Sequence, residues 1–394
     1  MHETARKAGT GSDQRIDHGL LAILCVAAGL TVANNYYNQA MLGLLAHEFH
    51  LSAAAVSALP VVTQLGNVIG ILFLAPLGDG LERRSLILAT TAALILALAV
   101  AAVAPSFPWL VVAGAGIGLF ATVTQQIVPL AVHLAAPHER GRVLGIVTGG
   151  ILIGILLART LSGIVSDLWG WQAVFGIAAA AMLATAAGLA WRLPRIDPIT
   201  DLSYGRLIAS LWTLVRTHHV LRRVIAVQAL IFAAFIGFWS NLALTFDAAP
   251  YHFGATAVGV MALVGVVGAL AAPIAGRFAD RRGPSVVASI GAALVIAAFG
   301  IFGLFQGSLA AMIVGVLILD LAVQSSQVAN QARIYALDPT ARSRLNTIFM
   351  ATMILGGAFG AGIAGTLYST WGWSGTCIFG AVSAGLALLL SLRH

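Results

Sequence analysis

The stretch "PHERGRVLGIVTGGILIGILLARTLSGIVSDLWGW" occupies residues 137–171. It opens on a basic hexapeptide and closes on a Trp-Gly-Trp triplet. Between them, Val143 to Ser166 form an apolar run in which Arg159 is the one charged residue. A helix that crosses a bilayer needs about 20 residues, so this run reads as a span entered at its basic end. The pattern returns in "PTARSRLNTIFMATMILGGAFGAGIAGTLYSTWGW", residues 339–373, at an offset of 202 residues. Arg140 and Arg142 fall on Arg342 and Arg344, and the two WGW triplets coincide. Gln125 falls on Gln327 and "NYYNQ" (35–39) on "GFWSN" (237–241) at the same offset. Several matches at one offset argue for two similar halves in parallel orientation, an architecture that puts a binding site near mid-membrane between them.

Composition agrees. The 394 residues are 59% hydrophobic and 9% charged, with a mean hydropathy of +0.95. A soluble domain carries about 25% charged residues, so this chain cannot cover a water-facing surface; its partner is the lipid bilayer. Twelve apolar stretches near spanning length follow one another, at about 19–45, 53–77, 86–104, 109–134, 143–166, 171–191, 220–246, 255–279, 284–305, 309–336, 344–368 and 373–392. Their length and uniform apolarity exclude barrel strands, leaving helices. Residues 1–17 are polar, and the first apolar stretch is too long for a cleavable signal, so it reads as a span that stays.

Charge placement sets the orientation. With the N-terminus inside, Arg6, Lys7, Arg15, Arg83, Arg84, Arg140, Arg142 and every Arg from Arg192 through Arg393 fall on the cytoplasmic side, with Arg333 at the inner end of its span. The outer loops hold no Lys or Arg, and Arg159 alone is left unplaced. The net charge of +7 therefore marks membrane topology rather than nucleic acid. The resulting organisation is a cytoplasmic tail (1–18), a six-helix bundle (19–191), a cytoplasmic linker with room for a short surface helix (192–219) and a second six-helix bundle (220–394).

The segment "PLGDGLERRSLIL" (76–88) resembles the signature between the second and third helices of the major facilitator superfamily, with Gly80 where Arg is common and Glu82 where Gly is common. "NNYYNQAMLGLL", "ERGRVLG" and "GILLARTLSG" resemble a bacterial branch of that superfamily that includes sugar, nucleoside and drug efflux proteins, with Ala40 in place of a common Pro. The resemblance covers nearly the whole chain. It implies a twelve-helix transporter, a monomer in the bacterial inner membrane, with cavity-lining helices one, four, seven and ten. It also implies that Asp79, with Arg83 and Arg84, helps hold one conformation and sets the rate of switching. The alternative for the two arginines is a plain cytoplasmic anchor. The Gly-Pro motif that superfamily antiporters often carry in the fifth helix lacks its Pro here.

Polar residues inside a span usually face the bundle interior or a wet cavity. The tenth span carries Asp320, Gln324, Gln327 and Gln331 at i, i+4, i+7 and i+11, one helix face. The fourth carries Thr122, Gln126 and His133, with Gln125 adjacent and Pro129 able to bend the helix. The first carries Asn34, Asn35, Asn38 and Gln39 beside Tyr36 and Tyr37, and the seventh Trp239, Ser240 and Asn241. Each amide could instead bond a neighbouring helix without touching solute.

Arg159 and Asp320 carry full charge. Their mates at the repeat offset are Ala361 and Gly118, so the architecture alone requires neither. They fit a pair across the cavity, a joint contact with a polar solute, or a permanent ion pair joining the halves. A cycle could alternate between a paired and a protonated Asp320.

Gly66 and Gly70, Gly114 and Gly118, Gly150 and Gly154, and Gly356 and Gly360 form small-xxx-small pairs that permit close helix approach. "GAGIG" (114–118) follows no strand and is not a dinucleotide loop. "HEFH" (47–50) lacks a convincing third metal ligand, Cys25 and Cys377 read as packing residues, and no nucleophile–base arrangement stands out. The expectation is no enzyme and no cofactor. It is a secondary active transporter exporting a small polar or amphipathic solute in exchange for protons, with a facilitator, an importer or a non-transporting sensor as alternatives. The candidate binding or coupling residues are Arg159, Asp320, Asn35, Tyr36, Asn38, Gln39, Gln125, Gln126, Trp239, Asn241, Gln324 and Gln327.

Overall fold

A computed structural model describes residues 16–136, 138–195, 204–270, 283–338 and 341–392. Most of the tail, the middle of the linker, the eighth span beyond Leu270 and the side chain of Asp79 lie outside the described residues. Among the described residues there is no strand. The helices are α1 (His18–Ala33), α2 (Tyr37–Ala40), α3 (Leu42–Glu48), α4 (Ala53–Val56), α5 (Ala58–Phe73), α6 (Leu77–Gly80), α7 (Arg83–Ala102), α8 (Phe107–Phe120), α9 (Val123–Leu134), α10 (Arg140–Trp169), α11 (Trp171–Arg192), α12 (Tyr204–Thr217), α13 (His219–Asp247), α14 (Ala255–Leu270), α15 (Pro284–Leu304), α16 (Leu309–Tyr335) and α17 (Arg342–Leu392).

Nine helical stretches among the described residues are long and apolar enough to cross a membrane, and two shorter apolar helices accompany them. The longest, α17, has 51 residues and bends at Gly372 (φ 56°). Its repeat mate Gly170 (φ 82°) separates α10 from α11. Positive φ is accessible to Gly without the Cβ penalty, so the Gly of both WGW triplets is what allows the chain to turn there. The second tryptophan of each triplet is tied down: Trp171 Nε1 donates to Glu48 Oε2 (2.8 Å) and Trp373 Nε1 to the Phe302 carbonyl (3.3 Å).

Two expected spans are not continuous helices. The first is interrupted after Ala33, where Asn34, Asn35 and Tyr36 donate to carbonyls three residues back, a tighter turn than the α-helix. The Asn34 side chain adds bonds to the carbonyls of Leu30 (2.7 Å) and Thr31 (3.3 Å). The fourth is interrupted at Ala121–Thr122, with the Thr122 hydroxyl on the Leu119 carbonyl (3.0 Å). Both breaks lie beside the polar residues singled out above.

Packing follows the small residues. A Cβ on Gly66 would meet the Ala115 carbonyl, and one on Gly118 the Thr63 carbonyl, so α5 and α8 touch backbone to backbone. Gly154 of α10 lies against Gly29 of α1, and its repeat mate Gly356 of α17 against Ala229 of α13. The two halves thus use one helix-pairing scheme. In lipid, such close approach supplies the van der Waals packing that apolar burial supplies in water. Gly154→Leu or Gly356→Leu is expected to force these helices apart at a cost of about 1–3 kcal/mol or more. Thermal unfolding of the solubilised chain, followed by size-exclusion fluorescence, checks this; unchanged profiles would show that the contacts do not limit stability.

At the arginine-bearing end, Asp17 caps α1 through the Leu20 amide (3.1 Å) and pairs with Arg192 (2.8 Å). The Leu20 amide, then the Gly19 amide and Arg192, hold its carboxyl below the usual range. Arg83 Nε donates to the Gly78 carbonyl (3.0 Å) and Arg84 Nη2 to that of Ala190 (2.6 Å) near the end of α11. The backbone of Asp79 lies in α6. The linker helix α12 packs on the same end, where Tyr204 Oη donates to the Phe73 carbonyl (2.8 Å).

Candidate functional site

A cavity of about 510 Å³ lies between α1, α9 and α10 on one side and α13, α16 and α17 on the other. Its lining runs from Arg159 and Asp320 down to Arg83, Tyr335, Ser343 and Arg344, so it reaches the arginine-bearing end. Leu211 of the linker helix also contributes to the wall.

The opposite end is sealed. The Asp167 carboxylate, at the far end of α10, accepts from the Ala255 amide (3.0 Å) and the Thr256 amide (2.7 Å) at the start of α14. Amides in a first helical turn have no partner within the helix, and Gly254, just before α14, has no side chain to cap them. Asp167 supplies the cap from across the interface. Nearby, Thr160 Oγ1 donates to the Gly259 carbonyl (2.8 Å). Gly163 packs on Ala255, Gly365 on Ser57 and Gly43 on Ala243.

Arg159 sits where the sealed region meets the cavity. It is 2% exposed. Its Nε donates to Gln39 Oε1 (2.8 Å). Its guanidinium carbon lies over the rings of Trp239 (4.6 Å to the centroid), Tyr36 (4.9 Å) and Phe235 (6.0 Å). Cation–π contacts of this kind are worth roughly 0.5–2 kcal/mol each, more when desolvated. Tyr36 and Gln39 come from the broken first span and Phe235 and Trp239 from α13, so one side chain ties together elements of both halves. Nη2 is buried without a partner.

Asp320, on α16, is 4% exposed and rests on the backbone of Gly265 in α14, where a Cβ would come within 2.9 Å of Oδ2. Oδ2 has no partner. Among the described residues no ion pair within 4.0 Å joins Asp320 to Arg159; their influence on each other is electrostatic. Of the arrangements left open by the sequence, direct pairing is therefore absent here.

The remaining candidates divide into three groups. Tyr36, Gln125, Gln126, Gln324 and Gln327 line the cavity with the two charges, and both amide atoms of Gln126 are buried without partners. Gln39 and Trp239 stand behind Arg159 and position it. Asn38 donates to Thr63 Oγ1 (3.1 Å) and Asn241 to Thr376 Oγ1 (2.8 Å); each bonds a helix of its own half, away from the cavity lining. Asn35 is buried and also absent from that lining. His133 is exposed, so on the fourth span the wall is built from Thr124, Gln125, Gln126 and Pro129 rather than from the 122/126/133 stripe.

Sequence reasoning missed Asp167, Phe235 and Gly265. For Asp167 the signal, a missing local cap before α14, marks the need for an acceptor but does not point to the residue, 88 positions away, that meets it. For Phe235 and Gly265 there was none, since one more Phe or Gly in an apolar span carries no distinguishing mark.

Three comparisons bear on identity. The family model described as "Major Facilitator Superfamily" matches residues 23–332 and 248–394. The transporter YgaY of Escherichia coli O157:H7 is 36% identical over 385 residues, covering 98% of each chain. The transporter SCO4007 of Streptomyces coelicolor is 34% identical over 381 residues, covering 95% of this chain and 86% of its own. Among solved structures, a bacterial homologue of the human lysosomal transporter Spinster, inward-facing and occupied, superposes with a TM-score of 0.75. At 16% identity, over 95% of this chain and 97% of the other, that likeness shows the fold alone.

Proposed function

The chain belongs to the major facilitator superfamily, and from that premise we propose that it is a proton-coupled secondary transporter working by alternating access. As a transporter of this family it is not an enzyme. The proposed organisation is twelve spans in two halves, 19–191 and 220–394, joined by the linker 192–219 after the tail 1–18. Both termini are cytoplasmic and the membrane is the bacterial inner one. The nine candidate spans, the bend that divides α17 and the two shorter apolar helices are compatible with that number. The chain acts as a monomer, since each chain encloses its own cavity.

The observation that carries the reading is a cavity open at one end, sealed at the other, with two buried opposite charges at its closed end. With arginines inside, the open end is cytoplasmic. A solute would enter there and meet Arg159, Asp320 and the amides of Gln125, Gln126, Gln324 and Gln327. Release to the outside requires the Asp167 cap, the Thr160–Gly259 bond and the aromatic contacts of Arg159 to come apart. Asp320 serves as the coupling group: ionised it holds the loaded state, and protonated it lets the solute go. Among the described residues the charge acting on it is Arg159 of α10, while α14 meets it with Gly265. Asp79, Arg83 and Arg84 serve as the gate at the cytoplasmic end. This order of events makes the chain an exporter driven by the proton gradient, with no cofactor.

Alternating access is tested with spin labels on cysteines at exposed positions, after replacing Cys25 and Cys377. Val103 and Leu304 report on the outer end, and Leu81 and Val286 on the inner end. Two anticorrelated distance populations are expected; one fixed distance at each end at every pH would sink the reading. Asp167→Ala leaves two helix-terminal amides uncapped. Losing a cap costs about 0.5–2 kcal/mol, so the outward-open population should rise roughly tenfold.

A further inference from the structure

We infer that the solute class is a zwitterion with an apolar body, of amino-acid or small-peptide size, whose carboxylate docks on Arg159 and whose ammonium docks on Asp320. This rests on reading the cavity as the solute site of a transporter.

Three features of the site lead there. First, the Arg159 guanidinium carbon lies over the rings of Tyr36 and Trp239, and Nε is taken by Gln39. What it has left to offer is in-plane N–H donors, including the buried Nη2. That is the geometry that grips a planar carboxylate. Second, Asp320 is buried against a glycine backbone with Oδ2 free, an acceptor with no cation within bonding distance. An ammonium donates to such a carboxylate, whereas a second acid would repel it. Third, the walls around the charges are apolar or neutral: Phe232 and Phe235 of α13, Met353 and Ile354 of α17, and the glutamine amides of α9 and α16. Met is adaptable to varied apolar shapes.

A solute with one charge would satisfy one of these groups and leave the other buried and uncompensated, which is strongly unfavourable. A solute with both charges satisfies each without bringing the two side chains together. The volume of about 510 Å³ lies in the range of small-molecule sites.

The test uses four probes on one apolar body: L-phenylalanine, 3-phenylpropionate, phenethylamine and 3-phenylpropanamide. A parallel series uses L-leucine, 4-methylpentanoate, isoamylamine and 4-methylpentanamide. Binding to the purified full chain at pH 7 is followed by thermal shift and calorimetry. In at least one series the amino acid should bind at least about ten times more tightly than its three analogues. Arg159→Gln should erase its advantage over the amine, and Asp320→Asn its advantage over the carboxylate. Arg159→Lys, which keeps the charge but loses the planar fork, should bind between wild type and Arg159→Gln. Equal binding of an anion or a cation alone, or no binding in either series, would overturn the inference. The label distances are read independently of these probes. Failure here with alternating distances intact removes the zwitterion alone, whereas fixed distances remove the transport reading beneath it.

Discussion

Arg159→Gln is expected to weaken solute binding by about a hundredfold or more and to loosen the outer seal at the same time. The first effect follows from removing one member of a buried, charge-assisted contact, which typically costs about 2–5 kcal/mol. The second follows from position. Arg159 is bonded to Gln39 and lies over Tyr36 from one half, and over Trp239 and Phe235 of α13 from the other. Glutamine can keep one hydrogen bond to Gln39 but has no cation to set over three rings. The label pair at Val103 and Leu304 should therefore shift toward longer distances in the variant, while calorimetry records the lost affinity. A variant that binds normally with an unchanged outer distance would show that Arg159 is a structural charge.

Asp320→Asn is expected to abolish proton coupling while sparing passive exchange. Asparagine keeps the shape that rests on Gly265 but carries no charge and no exchangeable acid. In liposomes containing a pH-sensitive dye, wild type should move protons only when solute moves the other way. The variant should pass solute downhill, more weakly, with no matching proton signal. The variant also separates the transport modes: a facilitator would show no proton signal even as wild type.

Much of this architecture was readable before any coordinates. Arg159 announced itself as the one basic residue outside the positive-inside pattern, and the structure buries it in mid-molecule. The i, i+4, i+7 and i+11 stripe of Asp320, Gln324, Gln327 and Gln331 does line one cavity wall, because a regular helix converts spacing into a face. Where the helix is irregular, spacing along the chain no longer maps onto one face. The first span turns at Asn34–Tyr36 and the fourth at Ala121–Thr122, so stripes drawn across those breaks did not hold. Thus Asn38 goes to Thr63, whereas His133 shares the unbroken α9 with Gln126 and is exposed in that helix's last turn. Asn241 shows a second limit: its helix is regular, yet Thr376 on another helix is an available partner, and helix periodicity does not tell a cavity from a neighbour. Asp167 shows a third. Its meaning depends on an uncapped helix start that is 88 residues away in sequence, a relation that only the folded interface creates.

The measurement that tests the central claim most directly is proton movement coupled to solute exchange in liposomes loaded with L-phenylalanine and a pH-sensitive dye, comparing wild type with Asp320→Asn. The account requires a solute-dependent proton signal in wild type and none in the variant. Identical proton traces from the two proteins would contradict it, because Asp320 could not then be the group through which the cavity exchanges solute for protons.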